Sequence, residues 1–183
     1  FAPQRNVHIN GILAATYAHE SDLKPSDVKE LVDAAKAIAN SIKYVGVLCV
    51  EFFLLIDGSL VVNEIAPRPH NSGHYTLDAC DVSQFELQVR ALCRLPLPQP
   101  HQHSPAIMLN LLGDLWFKTN PNAAQTPPWE KVLALPGTHL HLYGKSEAKP
   151  GRKMGHLTIT GSSLEAVQST TQQAAKILGI YKY

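Results

Sequence analysis

Two apolar runs separated by an Asp-Gly dipeptide constrain the fold of this chain more than any other feature. The segment VGVLCVEFFLLIDGSLVVNEIAPR, residues 45–68, has one glutamate inside each run. Asp57-Gly58 is a favoured two-residue turn of a β-hairpin. With that turn, Glu51 lies directly opposite Glu64 on the neighbouring strand, and the two side chains share one face. Asn63 is then expected on the opposite face, because side chains alternate along a strand.

The opposed carboxylates predict a ligand between them. Like charges in facing strand positions destabilise a sheet, and apolar surroundings increase the cost. One carboxyl could hold a proton, a basic side chain could lie between the two, a hard cation could bridge them, or the whole face could be open to solvent. Carboxylate oxygens that leave room for phosphates suit Mg²⁺ or Mn²⁺, so the pair favours an ATP-dependent enzyme. Partial coverage of this face is expected because it also carries apolar side chains, at Val47, Cys49, Phe53, Leu55, Leu60 and Val62.

The remaining patterns predict an α+β fold. Residues 6–18 indicate a strand, and helical spacing of apolar residues over 24–43 predicts a helix with Ser26 as its N-cap. A second helix is expected from about Ser83 to Leu92. The proline-rich segment LPLPQPHQHSP predicts a linker. Short strands and a short helix at Trp129–Leu133 are expected beyond it, and a last helix opens with a capping box at Ser162 and Glu165 and stops at Gly179.

Composition excludes several classes of function. The chain has 183 residues and a net charge of +1, which gives no reason to expect nucleic acid or an anionic membrane as a partner. No apolar run is long enough to span a bilayer. The three cysteines have no metal-like spacing, so a reducing cytoplasmic compartment is expected. The first residues, FAPQRNVHIN, read like a chain entered in the middle of a domain.

Two longer motifs carry a resemblance to a known family. The run NEIAPRPHNSGHYTLDACDVSQFELQVRAL and the later run KPGRKMGHLTI resemble the N5-carboxyaminoimidazole ribonucleotide synthetases of purine biosynthesis. That family belongs to the ATP-grasp superfamily, whose metal-binding hairpin is similar to the one described above. The similarity extends over nearly the whole chain but corresponds to the C-terminal half of the family's usual length. It implies the end of an ATP-grasp domain over residues 1–95, a linker over 96–105 and a small β-rich domain over 106–183.

The resemblance implies a ligase reaction. Bicarbonate would attack ATP to give carboxyphosphate, and the amine of 5-aminoimidazole ribonucleotide would be carboxylated. The family further implies Mg²⁺ or Mn²⁺ and a homodimer. Since the ATP-binding lysines of the family would lie upstream of Phe1, this chain alone is expected to be inactive.

The residues matching the family's motifs fall into three groups. Glu51 and Glu64 would hold the metal, with His8, Asn63 and Glu64 at ATP. Arg68, His70 and Asn71 would act in carboxylation. Lys145 and Arg152 would bind the acceptor's phosphate, with Lys149 and Lys153 as rivals, and Arg68 and Arg152 are expected to converge on one cleft.

Two alternatives stay open at this point. The chain could belong to another ATP-grasp carboxylase or to a ribonucleotide transformylase, although the run RPHNSGH argues against both. It could also be a non-catalytic binding or assembly half-domain. Ala66 stands where common ATP-grasp enzymes have an asparagine, a departure that the resembled family tolerates.

Overall fold

The fold is built on one five-stranded antiparallel sheet and a separate two-stranded hairpin. The structure, a computed structural model, describes residues 1–18 and 23–183. The sheet has the order β1-β2-β5-β7-β6, and β3 pairs with β4 alone. This arrangement confirms the expected α+β class. The strands are β1 (Arg5–Ile9), β2 (Ile12–Ala18), β3 (Cys49–Leu54), β4 (Leu60–Ala66), β5 (Ala106–Leu112), β6 (Thr138–Leu142) and β7 (Lys153–Thr160). The helices are α1 (Pro25–Ser41), α2 (Thr76–Ala79), α3 (Gln84–Leu92), α4 (Trp129–Leu133) and α5 (Leu164–Leu178).

The core lies where α5 covers the centre of the sheet. Leu109 of β5 and Leu157 of β7 are cross-strand partners, both fully buried, and they pack with Val167 of α5. Ser163 caps α5 by accepting a hydrogen bond from the Ala166 amide, one position after the expected cap. Gly179 ends the helix as expected, in the left-handed conformation with φ of 67°.

Residues 6–18 form a hairpin and not the single expected strand. Asn10 and Gly11 both have positive φ, 51° and 74°, as a two-residue type I′ turn requires. The chain therefore reverses between β1 and β2. The Asn-Gly dipeptide is a strong hairpin signal that the sequence prediction passed over.

The sheet crosses the predicted domain border. Ala18 of β2 pairs with Ala106 of β5, so strands from both sides of the 96–105 linker share one sheet. Residues 1–95 therefore do not form a five-stranded sheet of their own. The linker itself is mostly exposed and lies outside the sheet. Gln102 forms an isolated bridge with Cys80, and its Nε2 donates to the Ala18 carbonyl of β2 at 2.7 Å. The domain limits at 95 and 106 stay a prediction.

The helices follow the expected spans more closely than the expected caps. Pro25 occupies the first turn of α1 and Lys24 is the N-cap, so Ser26 lies inside the helix and is not its cap. Ser83 caps α3 by accepting a hydrogen bond from the Glu86 amide, at 3.1 Å. Within the described residues, every helix is too short or too polar to cross a membrane.

Candidate active site

The β3–β4 hairpin places Glu51 opposite Glu64, as predicted. The turn differs from the expected one. The Leu55 amide donates to the Ser59 carbonyl at 2.9 Å, which leaves three residues in the loop instead of two. Gly58, the last of them, has φ of 85°, typical of a three-residue hairpin loop.

A β-bulge restores the carboxylate pair. The register shifts between Glu51 and Phe52, because β4 contains one extra residue opposite them. The longer loop and the bulge each displace the pairing by one residue, in opposite directions. The bulge also overturns the expected direction of Asn63, whose amide donates to Glu51 Oε2 at 3.4 Å. Asn63 thus lies on the side of Glu51 and not on the opposite face.

Glu51 has one carboxylate oxygen without a partner. Its side chain is 11% exposed, and Oε1 is buried with no hydrogen bond to any described residue. His70 Nδ1 lies 3.7 Å from this oxygen but is engaged with Ser72 Oγ at 2.9 Å. A buried acceptor without a donor indicates that a ligand, ion or water belongs there. The orphaned oxygen therefore fits the cation that the opposed carboxylates predict.

The donor atoms around Glu51 favour a hard cation. Cys49, Glu51 and His70 each place a possible ligand atom within 4.8 Å of the others. Burial raises the pKa of the Cys49 thiol, which keeps it protonated and a poor ligand. The carboxylate oxygens remain, and these are the donors that Mg²⁺ prefers.

The loop after β4 carries the three predicted carboxylation residues. Arg68 is exposed, and its guanidinium donates to the Pro69 carbonyl at 3.1 Å. Burial lowers the pKa of His70 and the nearby Glu51 partly opposes that effect, so the imidazole is neutral near pH 7. Asn71 is buried, and neither its Oδ1 nor its Nδ2 has a described partner. The unsatisfied Nδ2 of Asn71 and the exposed guanidinium of Arg68 are donors suited to a small oxyanion.

Lys153 is the cation that the structure adds to this group. Burial lowers its pKa, and the adjacent Arg68 lowers it further. The carboxylates of Glu51 and Glu64 raise the pKa of Lys153. Arg68, Glu51 and Glu64 therefore all lie within electrostatic reach of this lysine. Sequence reasoning ranked Lys153 below Lys145, because spacing alone does not show which side of β7 faces the hairpin.

The two predicted phosphate-binding residues donate to different main-chain carbonyls. Lys145 donates to the Lys153 carbonyl and lies over the Tyr143 ring, which places it next to Lys153. Arg152 donates to the Glu147 carbonyl at 2.9 Å. In the described parts of the chain, no hydrogen bond or ion pair links Arg152 to the hairpin. Its convergence with Arg68 stays a prediction.

A cavity of about 620 Å³ connects the hairpin to the N-terminal strand. Glu51, Asn63 and His70 line it on one side and His8 of β1 lines it on another. The cavity therefore brings together four residues of the candidate site that come from three separate stretches of chain. Its volume is in the range of small-molecule sites.

A histidine cluster lies behind the loop, and the sequence analysis did not identify it. His141 and His156 are cross-strand partners whose rings stack at 4.5 Å and 14°. His74 contacts His156 at 4.9 Å, and Asp78 bonds His141 Nε2 at 2.9 Å. The lone pairs of two stacked rings lie in nearly parallel planes, so in this arrangement one metal ion cannot lie in the plane of both rings. The alternating histidines of β6 were the available signal.

Comparisons with known proteins agree with this geometry. Residues 1–85 match the family model of the ATP-grasp domain, and residues 106–170 match that of the phosphoribosylaminoimidazole carboxylase C-terminal domain. N5-carboxyaminoimidazole ribonucleotide synthase from Bacillus subtilis is 43% identical over 159 residues, which is 87% of this chain and 39% of that protein. Over most of its length, the chain is similar to part of the N5-carboxyaminoimidazole ribonucleotide synthases.

Solved structures of this synthase family have the same fold. The synthetase from Thermus thermophilus superposes with a TM-score of 0.85 at 34% identity, over 98% of this chain and 46% of that one. The synthase from Aspergillus clavatus in complex with ADP and 5-aminoimidazole ribonucleotide has a TM-score of 0.83 at 33% identity, over 96% of this chain and 46% of that one. The chain thus spans less than half the length of the synthases that it matches.

Proposed function

We propose that the whole protein containing this chain is an ATP- and bicarbonate-dependent ligase. It would convert 5-aminoimidazole ribonucleotide to N5-carboxyaminoimidazole ribonucleotide through carboxyphosphate, in purine biosynthesis. The observation that carries the proposal is the opposed pair Glu51 and Glu64, with the buried Glu51 Oε1 lacking a partner. The names of the relatives and the nucleotide complexes of the solved synthases support the same reaction.

In this proposal the hairpin and β1 serve ATP. Glu51 and Glu64 would hold Mg²⁺ or Mn²⁺, and the metal would neutralise charge on the phosphates. His8 and Asn63 would contact the nucleotide beside Glu64, since His8 and Asn63 line the same cavity. The hydrogen bond from Asn63 to Glu51 would keep that carboxylate oriented as its partners change.

The loop after β4 would serve carboxylation. Arg68 can bind an oxyanion with two parallel hydrogen bonds, and the unsatisfied Asn71 amide can add directional contacts. His70 is a suitable proton acceptor, because burial lowers its pKa and keeps the ring neutral. The acceptor amine would lose its proton as the new carbon–nitrogen bond forms.

Cations on β7 and the preceding loop would bind the acceptor's phosphate. Lys145 and Arg152 are the proposed pair, as the family resemblance implies. Lys153 deserves equal rank, since it lies within electrostatic reach of both Arg68 and Glu51. We further propose that the whole protein is a cytoplasmic homodimer that binds neither nucleic acid nor membranes.

The proposal is tested by phosphate release from the whole protein. Release of phosphate from MgATP should require both bicarbonate and 5-aminoimidazole ribonucleotide. Formate in place of bicarbonate should give no product, which separates the proposal from a transformylase. Phosphate release that is indifferent to bicarbonate would overturn it, and no saturable binding of MgATP or of the acceptor would favour an assembly module.

A further inference from the structure

Gln84, the first residue of α3, is bonded to the loop that carries the proposed carboxylation residues. Its side chain is buried, with a residue exposure of 3%. Oε1 accepts a hydrogen bond from the His70 amide at 2.8 Å, and Nε2 donates to the His70 carbonyl at 2.7 Å. One carboxamide therefore satisfies both main-chain polar groups of a single residue, as a neighbouring β-strand would.

A third hydrogen bond uses the remaining amide hydrogen. Nε2 also lies 2.9 Å from His74 Nδ1, which must accept because the amide nitrogen can only donate. His74 then carries its proton on Nε2. This assignment agrees with the pKa of His74, which burial lowers to about 4. The carboxamide thereby links His70 to the histidine cluster.

The surroundings of Gln84 are shaped for this side chain. A Cβ atom on Gly73 would lie 2.6 Å from Gln84 Oε1, so only glycine leaves room for the carboxamide. Thr76 Oγ1 accepts from the Gln84 amide at 3.0 Å and donates to the Gly73 carbonyl at 2.6 Å. These contacts hold the start of α3 against the loop.

We propose that Gln84 is a positioning residue for carboxylation. Its carboxamide holds the main chain of His70 from both sides and so sets where the Arg68–Asn71 loop presents its side chains to the reacting groups. The inference rests on the proposed function, because the loop's task is the one proposed above. Gln84 lines the same cavity as Glu51, but His70 and His74 occupy its carboxamide, so it acts through the loop.

The first test replaces Gln84 by Leu in the whole protein. Both hydrogen bonds to His70 are lost, and the kcat of acceptor-dependent phosphate release should fall by about 100-fold, as for a displacement of about 1 Å at a catalytic group. The KM for MgATP should change little, because the hairpin carboxylates make no contact with Gln84. Gly73→Ala should have a similar effect by displacing the carboxamide, and the double variant should lose little more than either single one.

A second variant gives a readout that lost packing would not produce. In Gln84→Glu, a carboxylate would face the His70 carbonyl, whereas a protonated carboxyl could donate to it as the amide does. Burial raises the pKa of such a carboxyl. The ratio of variant to parent kcat should therefore rise several-fold as the pH falls from 8 to 6, and the same ratio for Gln84→Leu should stay constant.

Gln88 provides the matched control. It lies one turn further along α3, and its Oε1 accepts a hydrogen bond from the Val47 amide at 2.8 Å. Gln88→Leu removes a bond of the same kind, yet it should leave kcat within about 3-fold of the parent, since a single neutral hydrogen bond has a modest net effect.

The outcomes separate the two proposals. A parent without bicarbonate-dependent activity would contradict the proposed function. An active parent with Gln84→Leu at parental kcat, or with equal losses in Gln84→Leu and Gln88→Leu, would overturn the role of Gln84. If Gln84→Leu does not fold, the pH dependence of Gln84→Glu decides, and a constant ratio would refute the inference.

Discussion

The five-stranded sheet and the β3–β4 hairpin keep their strand registers by different means. Leu109 and Leu157 are fully buried in the sheet, so a slip of one residue would expose apolar surface. Leu54 and Val61 of the hairpin are 53% and 45% exposed, and burial constrains them much less. The loop and the bulge at Asn63 set the hairpin register instead. The candidate carboxylates therefore lie where local backbone geometry, and not the core, controls position.

Histidine rings connect the two regions. His74 follows the hairpin and its loop, His156 belongs to the sheet, and their ring centroids lie 4.9 Å apart. Gln84 extends this contact to His70. A disturbance of the sheet can therefore reach the loop without passing through the hairpin.

Truncating one leucine in each region should give the largest difference in the free energy of unfolding. Leu157→Ala leaves a cavity in the sheet and should lower the free energy of unfolding by about 3–5 kcal/mol. Leu54→Ala in the hairpin should cost less than about 1 kcal/mol, because the side chain is half exposed. Urea unfolding of both variants measures this, and equal losses would contradict the division between the two regions.

Removing a hairpin charge should affect activity and leave the fold intact. In the whole protein, Glu51→Gln should lower the turnover by about 100-fold, equivalent to about 2.7 kcal/mol, because the amide binds Mg²⁺ poorly. Its stability should be unchanged or slightly higher, since one of two opposed like charges is gone.

The matched control for that charge is Glu86→Gln. Glu86 pairs with Arg90 at 2.6 Å on the exposed face of α3, and neither side chain has a proposed role, so this variant should keep the parental rate. Steady-state phosphate release compares the variants. Parental turnover in Glu51→Gln would remove the hairpin from the proposed site.

Acid should weaken the contact between His74 and His156 that joins the two regions. Burial lowers the pKa of His74 to about 4 and that of His156 to about 3, whereas an unfolded histidine has a pKa of about 6.5. The unfolded chain binds more protons between these values, so the stabilisation is complete above about pH 6.5 and is lost as the pH falls. The unfolding free energy should decrease by about 4 kcal/mol from pH 7 to pH 5, about 2 kcal/mol for each histidine.

Variants of single histidines test the source of that pH dependence. His156→Asn should reduce the slope of stability against pH by about half, since one of two titrating groups is removed. His103→Asn, in the exposed linker, should leave the slope unchanged. A parent whose urea midpoint is constant between pH 7 and pH 5 would show that the cluster does not titrate in this way.

Replacing a turn glycine by Ala should have the smallest effect on stability. Gly11 and Gly58 have φ of 74° and 85°, and nothing lies within 4 Å of an added Cβ atom at either one. Each substitution by Ala should cost about 1 kcal/mol of backbone strain. For Gly11 the loss should appear in global unfolding, because β1 belongs to the sheet. For Gly58 it should appear as faster amide exchange in the hairpin with little change in global stability.

Local signals predicted most of the elements and the central pair of the site. Glu51 and Glu64 were placed opposite each other, although the predicted turn was one residue too short, because the bulge offsets the longer loop. A bulge has no reliable sequence signal, so the direction of Asn63 was wrong for the same reason. Pro25 took the helix start from Ser26 because its fixed φ suits the first turn.

Non-local contacts were beyond the sequence analysis. Nothing in β2 indicates that it pairs with β5, since the pairing depends on how the intervening elements pack. The position of Lys153 near Arg68 depends on the same packing. The site residues were therefore identified by type, but their grouping around the hairpin required the structure.

The pairing of β2 with β5 bears on how the chain reaches its native state. β2 is synthesised before its partner β5, which appears only after α1, the hairpin, α2 and α3. Until then β1 is the only described strand that can pair with β2, and the opposite edge of β2 stays unpaired. Long-range strand pairing of this kind slows folding and leaves an aggregation-prone edge exposed. A cut at the linker would produce two pieces that each lack part of one sheet, so neither of the two segments that match separate family models holds that sheet complete.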